Sequence, residues 1–401
     1  MPGAYDLTRA ELSALLADQP GYRVEQVWDA LHTGLRRPAE MTNLPLALRS
    51  RLESELPPAL TAVSRVEADG GDTVKWLWSL ADGARVETVL MHYRDRTTVC
   101  VSSQAGCAMR CSFCATGQGG FTRHLSSGEI VEQVVAAARE AGAGERPRRL
   151  SNVVFMGMGE PLANYDRLWA AVTRLHDEIG LSARHLTVST VGVVPGIHRL
   201  AKETLPVNLA VSLHAANDKL RSSLVPLNRR YPIASLMAAC RHYLTYKGRR
   251  LSFEWALIDR VNDRAVDAAE LAELAVPLGA HVNLIPLNPT PGYAVRGTTP
   301  GGVRRFREEL VALGVNATIR ANRGTDIDAA CGQLAASAAP AGPVASQAGA
   351  SQAGVSQAGV SQAGVSQAVA SPSVRSPPVT STAVASPAAV PLPVVPAAVV
   401  D

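Results

Sequence analysis

Between Thr97 and Pro286, strand-like and helix-like stretches take turns, and this alternation restricts the fold of the 401-residue chain more than any other feature. Apolar, β-branched runs cover Thr97 to Ser103, Leu150 to Met156, His185 to Thr190, Val207 to His214, Leu251 to Ile258 and His281 to Pro286. Helical patterns fill the gaps at Ser127 to Glu140, Tyr165 to Ile179, Pro195 to Lys202, Ile233 to Tyr246 and Ala265 to Val276. Six such β/α units predict a parallel sheet with right-handed crossovers, because parallel neighbours need a connection long enough to hold a helix. An α/β fold built as a partial (β/α)6 TIM-like barrel fits best, and there reactive groups gather at the C-terminal ends of the strands. The chemically notable residues obey that rule. A cysteine-rich loop follows the first strand, Gly157-Met-Gly-Glu160 the second, Ser189 ends the third, Ser212, Leu213 and His214 close the fourth, and Asn288 follows the sixth.

The flanks have a different character. Residues 1–60 predict a small helical domain: Leu7 to Leu16 with a polar start at Asp6 or Thr8, Tyr22 to Leu35, and Leu44 to Leu56 behind Thr42-Asn43 as a cap. Residues 61–92 change to short alternating runs around Asp82-Gly83, the pattern of antiparallel hairpins. Glu87 sits inside the second run, where a solvated strand glutamate is the default. The catalytic domain then spans 93–334. From about Ala335 to Asp401 the chain is Ser, Ala, Val, Pro and Gly, with SQAG recurring at Ser346, Ser351, Ser356 and Ser361. That period is too short for a solenoid, and with Arg375 and Asp401 as its charges and no aromatics the stretch predicts a disordered tail.

Charge and hydropathy bound the setting. The long uncharged C-terminal tract is broken by Pro, Gln and Gly, so no run predicts a membrane-spanning helix. The first residues carry acidic side chains and no apolar core, unlike a signal peptide, which points to a reducing cytoplasm. The formal net charge of +4 is mild, but basic residues cluster at Arg146, Arg148 and Arg149, at Arg221, Arg229 and Arg230, and at Arg320 and Arg323, among others. Solvated loop charge is the default for these clusters, and a phosphate-binding surface the alternative.

Three of the six cysteines carry the chemistry of the first loop. Cys107, Cys111 and Cys114 stand in a C-x-x-x-C-x-x-C spacing, and three close thiolates can hold three corners of a four-iron cluster, leaving one iron open to a small molecule. Zinc bound with Cys100 is the rival, although structural zinc usually takes two short-spaced pairs on separate turns. The glycines of Gly157-Met-Gly-Glu160 let backbone come close, and the Glu160 carboxylate can accept from an ammonium group. Met158 flanks that motif, with packing as its other role. Cys240 lies in an apolar helical stripe with Ile233, Leu236, Met237 and Leu244 and is a core residue. Cys331, in GTDIDAACGQL, has polar, loop-like neighbours.

The cysteine spacing resembles that of radical S-adenosylmethionine (SAM) enzymes. Together, VSSQAGCAMRCSFCATGQGGF, FMGMGEPLANY, VSLHAANDKLRSSLVPLNRRYPI, FEWALIDRVND, VNLIPLNP and DIDAACGQL resemble the RlmN family of that superfamily, from about Tyr22 to Leu334. The resemblance implies a cytoplasmic methyltransferase acting on C2 of an adenine in 23S rRNA and in tRNA. It implies one [4Fe-4S] cluster on Cys107, Cys111 and Cys114, two SAM molecules per turnover, an external flavodoxin- or ferredoxin-like electron donor, and a monomer. Carbon 2 of adenine lies between two ring nitrogens and is too electron-poor to attack a methyl cation equivalent, so a radical route makes chemical sense. By resemblance Cys331 takes a methyl group from one SAM, and a radical made from a second SAM removes hydrogen from it. The carbon radical then adds to adenine, tying enzyme to RNA. The same resemblance makes Glu87 the proton acceptor and Cys100 the thiol that resolves the crosslink through a transient disulfide with Cys331. SAM contacts are implied at Gly159, Glu160, Ser189, Ser212, Leu213, His214 and Asn288, and the N-terminal domain is implied to bind RNA. Thr325 departs from the acidic residue common in the family, and the repeat tail has no counterpart there. Two alternatives stay open: a Cfr-type adenine-C8 methyltransferase, and a metal-stabilised RNA-binding protein without catalysis.

Overall fold

The first helix shows how local sequence fixes local structure. In helix α1 (Arg9–Leu15) the Thr8 hydroxyl accepts from the Glu11 amide, and the Glu11 carboxylate accepts from the Thr8 amide at 2.7 Å, a reciprocal cap. A computed structural model of the protein describes residues 3–143, 148–290, 292–293, 295–320 and 323–336; Arg146 and the repeat tail, with the disorder expected of it, lie outside them. Helix α2 (Tyr22–His32) buries Val24, Val27, Trp28 and Leu31. Helix α3 (Leu46–Glu55) differs from expectation at its start. Pro45, with φ −56°, takes the cap position with no side-chain hydrogen bond, so the fixed proline torsion sets the entry instead of Thr42-Asn43.

Strands β1 (Leu60–Ala68), β2 (Thr73–Leu80) and β3 (Arg85–His92) form an antiparallel meander, and β3 pairs antiparallel with β4 (Thr97–Cys100). A small hairpin of β5 (Gln104–Gly106) and β6 (Phe121–His124) follows, enclosing the cysteine loop and the short helix α4 (Ala115–Gln118). The chain then alternates through α5 (Ser127–Ala143), β7 (Asn152–Phe155), α6 (Tyr165–Asp177), β8 (Leu186–Thr190), α7 (Val194–Lys202) and β9 (Asn208–Ser212). It continues through α8 (Asp218–Leu224), α9 (Ile233–Lys247), β10 (Leu251–Leu257), α10 (Ala265–Ala275), β11 (His281–Pro286), α11 (Pro300–Ala312) and β12 (Ala317–Ile319). All six expected parallel strands are present in sequence order. The sheet order is β1-β2-β3-β4-β7-β8-β9-β10-β11-β12, so the hairpins extend the parallel sheet instead of standing apart from it, and β12 adds one more parallel strand. The order is linear, an open barrel.

Strand alternation decides what each face holds. On β10, Phe253, Trp255 and Leu257 are fully buried, and Trp255 stacks on Phe306 of α11 with ring centroids 6.2 Å apart. Ser252, Glu254 and Ala256 take the opposite face, and Glu254 and Ala256 reach the inside of the barrel. The cysteine of the α9 stripe, Cys240, is fully buried as expected. No helix among the described residues is long and apolar enough to cross a membrane.

The N-terminal helices seat on α5 and α6. Asp6 accepts from the Gly128 amide at 2.7 Å and the Ser126 hydroxyl at 3.0 Å, placing a carboxylate at the positive start of α5. A Cβ at Gly128 would lie 2.5 Å from the Asp6 carboxyl carbon, so the seat requires glycine. Arg174 donates to the Tyr5 and Asp6 carbonyls, and Arg139 donates to the Leu35 carbonyl.

Candidate active site

The C-terminal ends of the parallel strands surround one pocket, and most of the residues singled out in the sequence lie on its wall. Cys107, Cys111 and Cys114 line it together, as do Cys100 and Cys331. All six cysteines are free thiols. The cysteine loop is pinned where it leaves and rejoins the small hairpin: the Cys107 amide donates to Gly120 O at 2.6 Å. Gly106, at φ +75°, runs so close to Gly120 that a Cβ there would lie 2.1 Å from its carbonyl oxygen. Burial pushes the Cys107 thiol up to about 12 and Cys111 well above its ordinary value, and in both the neighbouring thiols act in the same direction. Three soft donors side by side, Cys107 and Cys111 buried and Cys114 half-buried, fit a cationic metal cluster, whose charge favours the thiolates that burial disfavours. Among the described residues no three His, Cys, Asp or Glu side chains are arranged to grip a single metal ion.

The glycine motif faces the strand that carries this loop. A Cβ at Gly157 would lie 2.7 Å from the Val101 carbonyl, and one at Gly159, where φ is +100°, 2.5 Å from the Gln104 side chain. The glycines therefore let two backbone turns pack together, and only Glu160 presents chemistry. Its carboxylate accepts from the Val191 amide at 2.8 Å and the Leu162 amide at 3.0 Å, and burial raises its pKa to about 7. Met158 is buried in the core, and Met156 takes the wall position instead.

Ser189, Ser212 and His214 also line the pocket. Ala256 N–H donates to Nδ1 of His214 at 3.0 Å, which assigns the imidazole proton to Nε2, and burial lowers its pKa to about 3. The ring is thus a neutral N–H donor. Leu213 is not on the wall. Its side chain is fully buried on the far face of the strand, its amide donates to Glu254 O at 3.1 Å, and its carbonyl accepts from Arg221 Nε at 3.1 Å. The period-two alternation that brings Ser212 in turns Leu213 away. Arg221 itself is fully buried and bonds the Val191 carbonyl and Asn228, so this member of the basic clusters is neither solvated nor available to phosphate.

Cys331 is held by its neighbours. Asn288 Nδ2 donates to the Cys331 carbonyl at 3.0 Å, the Ala115 amide to Gly332 O at 2.8 Å, and the Thr116 hydroxyl to Leu334 O at 2.5 Å. Cys100 is deeply buried on β4, and burial, reinforced by Cys331, pushes its thiol up to about 12. The solvated default for Glu87 does not hold. It is 2% exposed, pairs with Lys75 Nζ at 3.0 Å, and accepts from the Ala335 amide at 3.0 Å. Glu87 stands two residues along β3 from Val89, which faces Cys100 across the sheet, so the two share a face.

The wall also carries ionisable residues that were not singled out as site residues in the sequence. Glu254 is buried, with Oε1 bonded to Ser252 and Asn283 and Oε2 without a hydrogen-bond partner among the described residues. Tyr93, Arg320 and Arg323 complete the wall near Cys331. Strand alternation and the basic pair Arg320/Arg323 were visible in the sequence, but their convergence depends on pairings across more than 200 residues, as in Lys75 to Asp328 at |i−j| = 253.

Comparison with known proteins agrees with this geometry. Residues 101–272 match a family model described as the Radical SAM superfamily. A relative from Parafrankia sp. (strain EAN1pec), described as a probable dual-specificity RNA methyltransferase RlmN, is 54% identical over 362 residues, covering 86% of this chain and 93% of its own. One from Chloroflexus aurantiacus with the same description is 53% identical, covering 82% of this chain and 92% of its own. The crystal structure of a radical SAM methyltransferase from Sphaerobacter thermophilus superposes with a TM-score of 0.80 at 53% identity, over 84% of this chain and all of that one.

Proposed function

This chain belongs to the RlmN family of radical SAM RNA methyltransferases, and we propose that it methylates C2 of one adenine in 23S rRNA and one in the anticodon loop of tRNA. The observation that carries this reading is the meeting of two thiols, Cys100 and Cys331, with the three-cysteine loop on one pocket wall. A cofactor site alone needs three cysteines; a second pair beside it fits a methyl carrier and a thiol to release it.

Cys107, Cys111 and Cys114 would hold one [4Fe-4S] cluster, and Glu160, Ser189, Ser212, His214, the Gly159 turn and Asn288 would bind SAM. When bound, the cluster and SAM together supply a one-electron cleavage that yields a hydrogen-abstracting radical. The rest falls to the protein's own groups. Cys331 Sγ carries the methyl group to the base, and Glu87 takes the proton from C2 of the adduct once that adduct has given up its unpaired electron to the electron-transfer system. The Cys100 thiolate then attacks Cys331 Sγ: an S–S bond forms as the S–C bond breaks, the electron pair goes to the methylene carbon, a proton there completes the methyl group, and a cellular thiol reductant reopens the disulfide. Glu160 orients the SAM ammonium group, and the neutral Nε2–H of His214 donates into the pocket. Asn288 also fixes the carbonyl of the carrier residue. Two SAM molecules per turnover, an external flavodoxin- or ferredoxin-like donor, a cytoplasmic monomer and RNA contacts by the helical domain of residues 1–60 belong to the same reading. Leu213 is left out of the SAM contacts because its side chain and backbone groups are already engaged.

Peptide mass spectrometry on Cys331 after anaerobic cluster reconstitution and incubation with SAM tests the carrier. A methylated Cys331 is expected, and an unmodified one in protein that cleaves SAM overturns the reading. Nucleoside analysis of treated RNA should give 2-methyladenosine; the 8-methyl isomer would refute the position. Replacing Cys107, Cys111 or Cys114 by Ala should remove the cluster's visible absorbance.

A further inference from the structure

Beside Cys331 the pocket wall turns basic around a single aromatic ring. The guanidinium carbons of Arg96 and Arg323 lie 4.2 and 4.7 Å from the centroid of Tyr93. Arg148 Nη1 donates to the Tyr93 carbonyl at 2.9 Å. Arg320 and Arg323 line the pocket with Tyr93; Arg320 lies 4.0 Å from the Met156 sulfur, and Cys331 and the Glu254 carboxylate face its charge.

The balance of charge is uneven. Four guanidinium groups gather here against three carboxylates: Asp95 at 3.1 Å from Arg96, Asp72 at 3.5 Å from Arg323, and Glu254 facing Arg320. Asp95 is largely exposed and its pair is screened by solvent. Cations brought onto one ring repel each other, and the ring's negative face offsets only part of that. A guanidinium whose planar fork is paired on one side only can still accept a bidentate anion on the other.

We propose that Arg96, Arg148, Arg320 and Arg323, set around Tyr93, form the seat for the RNA phosphates that flank the target adenine. The ring holds Arg96 and Arg323 extended before RNA arrives, so less side-chain freedom is lost on binding. The phosphates then neutralise the cluster while their nucleotide enters toward Cys331. This assignment rests on the RNA methyltransferase reading above and locates where the backbone of that RNA runs.

The test is equilibrium binding of a fluorescein-labelled RNA stem-loop with an unpaired adenine, by anisotropy, across a range of salt concentrations. Arg96→Gln and Arg323→Gln should each weaken binding and lower the slope of log affinity against log salt by about 0.7, the contribution of one single-strand phosphate contact. Arg260→Gln, at a side chain 91% exposed on another loop, should match the wild type. Arg323→Lys should keep most of the salt slope. Thermal unfolding of each variant checks that the fold is intact, and the double variant Arg96→Gln/Arg323→Gln guards against one arginine masking the other. Wild-type slopes in the single and double variants would overturn the phosphate seat while leaving the methyltransferase reading in place. A wild-type protein that does not bind the RNA would overturn both.

Discussion

At the scale of single residues, the ion pair of Lys75 and Glu87 sets the terms for the proposed proton acceptor. Lys75 stands opposite Val89 and Glu87 opposite Leu77, so the two reach each other diagonally across the β2–β3 ladder, with side chains 9% and 2% exposed. A carboxylate so deeply placed needs a cation beside it to offset its lost hydration. Lys75→Met should therefore destabilise the fold by about 3–5 kcal/mol, read from denaturant unfolding, because it strands a buried charge; Lys75→Arg should recover much of the loss. Glu160 is a different case, since burial has raised its pKa to about 7. Below that pH it is increasingly protonated and loses attraction for an ammonium group. The affinity of cluster-loaded protein for SAM should rise with pH through about 7, and Glu160→Gln should flatten that dependence in a titration at several pH values. The buried thiol of Cys100, pushed up to about 12, should likewise react with iodoacetamide far more slowly than Cys331 in folded protein; equal rates by peptide mapping would contradict the burial described for it.

At the scale of elements, the cysteine loop depends on the small β5–β6 hairpin that closes it. Gly106→Ala adds a Cβ 2.1 Å from a carbonyl oxygen at a residue with φ +75°, and neither the clash nor the torsion can be relieved without shifting the loop. Iron content after reconstitution should fall sharply while far-UV circular dichroism stays that of the wild type. Elements were also the most legible layer of the sequence. The six parallel strands and five of the helices between them follow from periodicity alone, and the start of α1 was in view as Asp6 or Thr8, of which Thr8 is the cap. Strand β12, three residues long, is too short to show a period, and its pairing with β11 comes from the sheet. Motif and alternation disagree at Leu213: the motif treats Ser212, Leu213 and His214 as one unit, but a strand sends neighbours to opposite faces. Glu87 shows the converse, because its burial is decided by Lys75 on β2 and by Ala335, which lies 248 residues away. The arginine cluster at Tyr93 was visible only as scattered charge, since nothing local brings Arg96 to Arg323.

At the scale of the whole molecule, the N-terminal helices are tied to the barrel by specific bonds as well as by apolar contact. A fragment beginning at Leu60 would strip Asp6 from the start of α5 and leave Arg174 and Arg139 without their carbonyl partners. Its melting midpoint should drop by at least about 5 °C, given roughly 1–3 kcal/mol for each group left unsatisfied; an unchanged midpoint by scanning fluorimetry would show the module to be energetically separate. The segment that bears Cys331 closes the molecule in another sense. Asp69 bonds the Gly324 amide, Lys75 the Asp328 carbonyl and Glu87 the Ala335 amide, across 255, 253 and 248 residues. During translation, the meander carrying Asp69, Lys75 and Glu87 leaves the ribosome long before its partners exist. Until residues 324–335 emerge, the nascent chain has neither Cys331 nor the partners of that clasp. Protein synthesis itself thus acts as a timer, and a prematurely terminated product lacks Cys331 altogether.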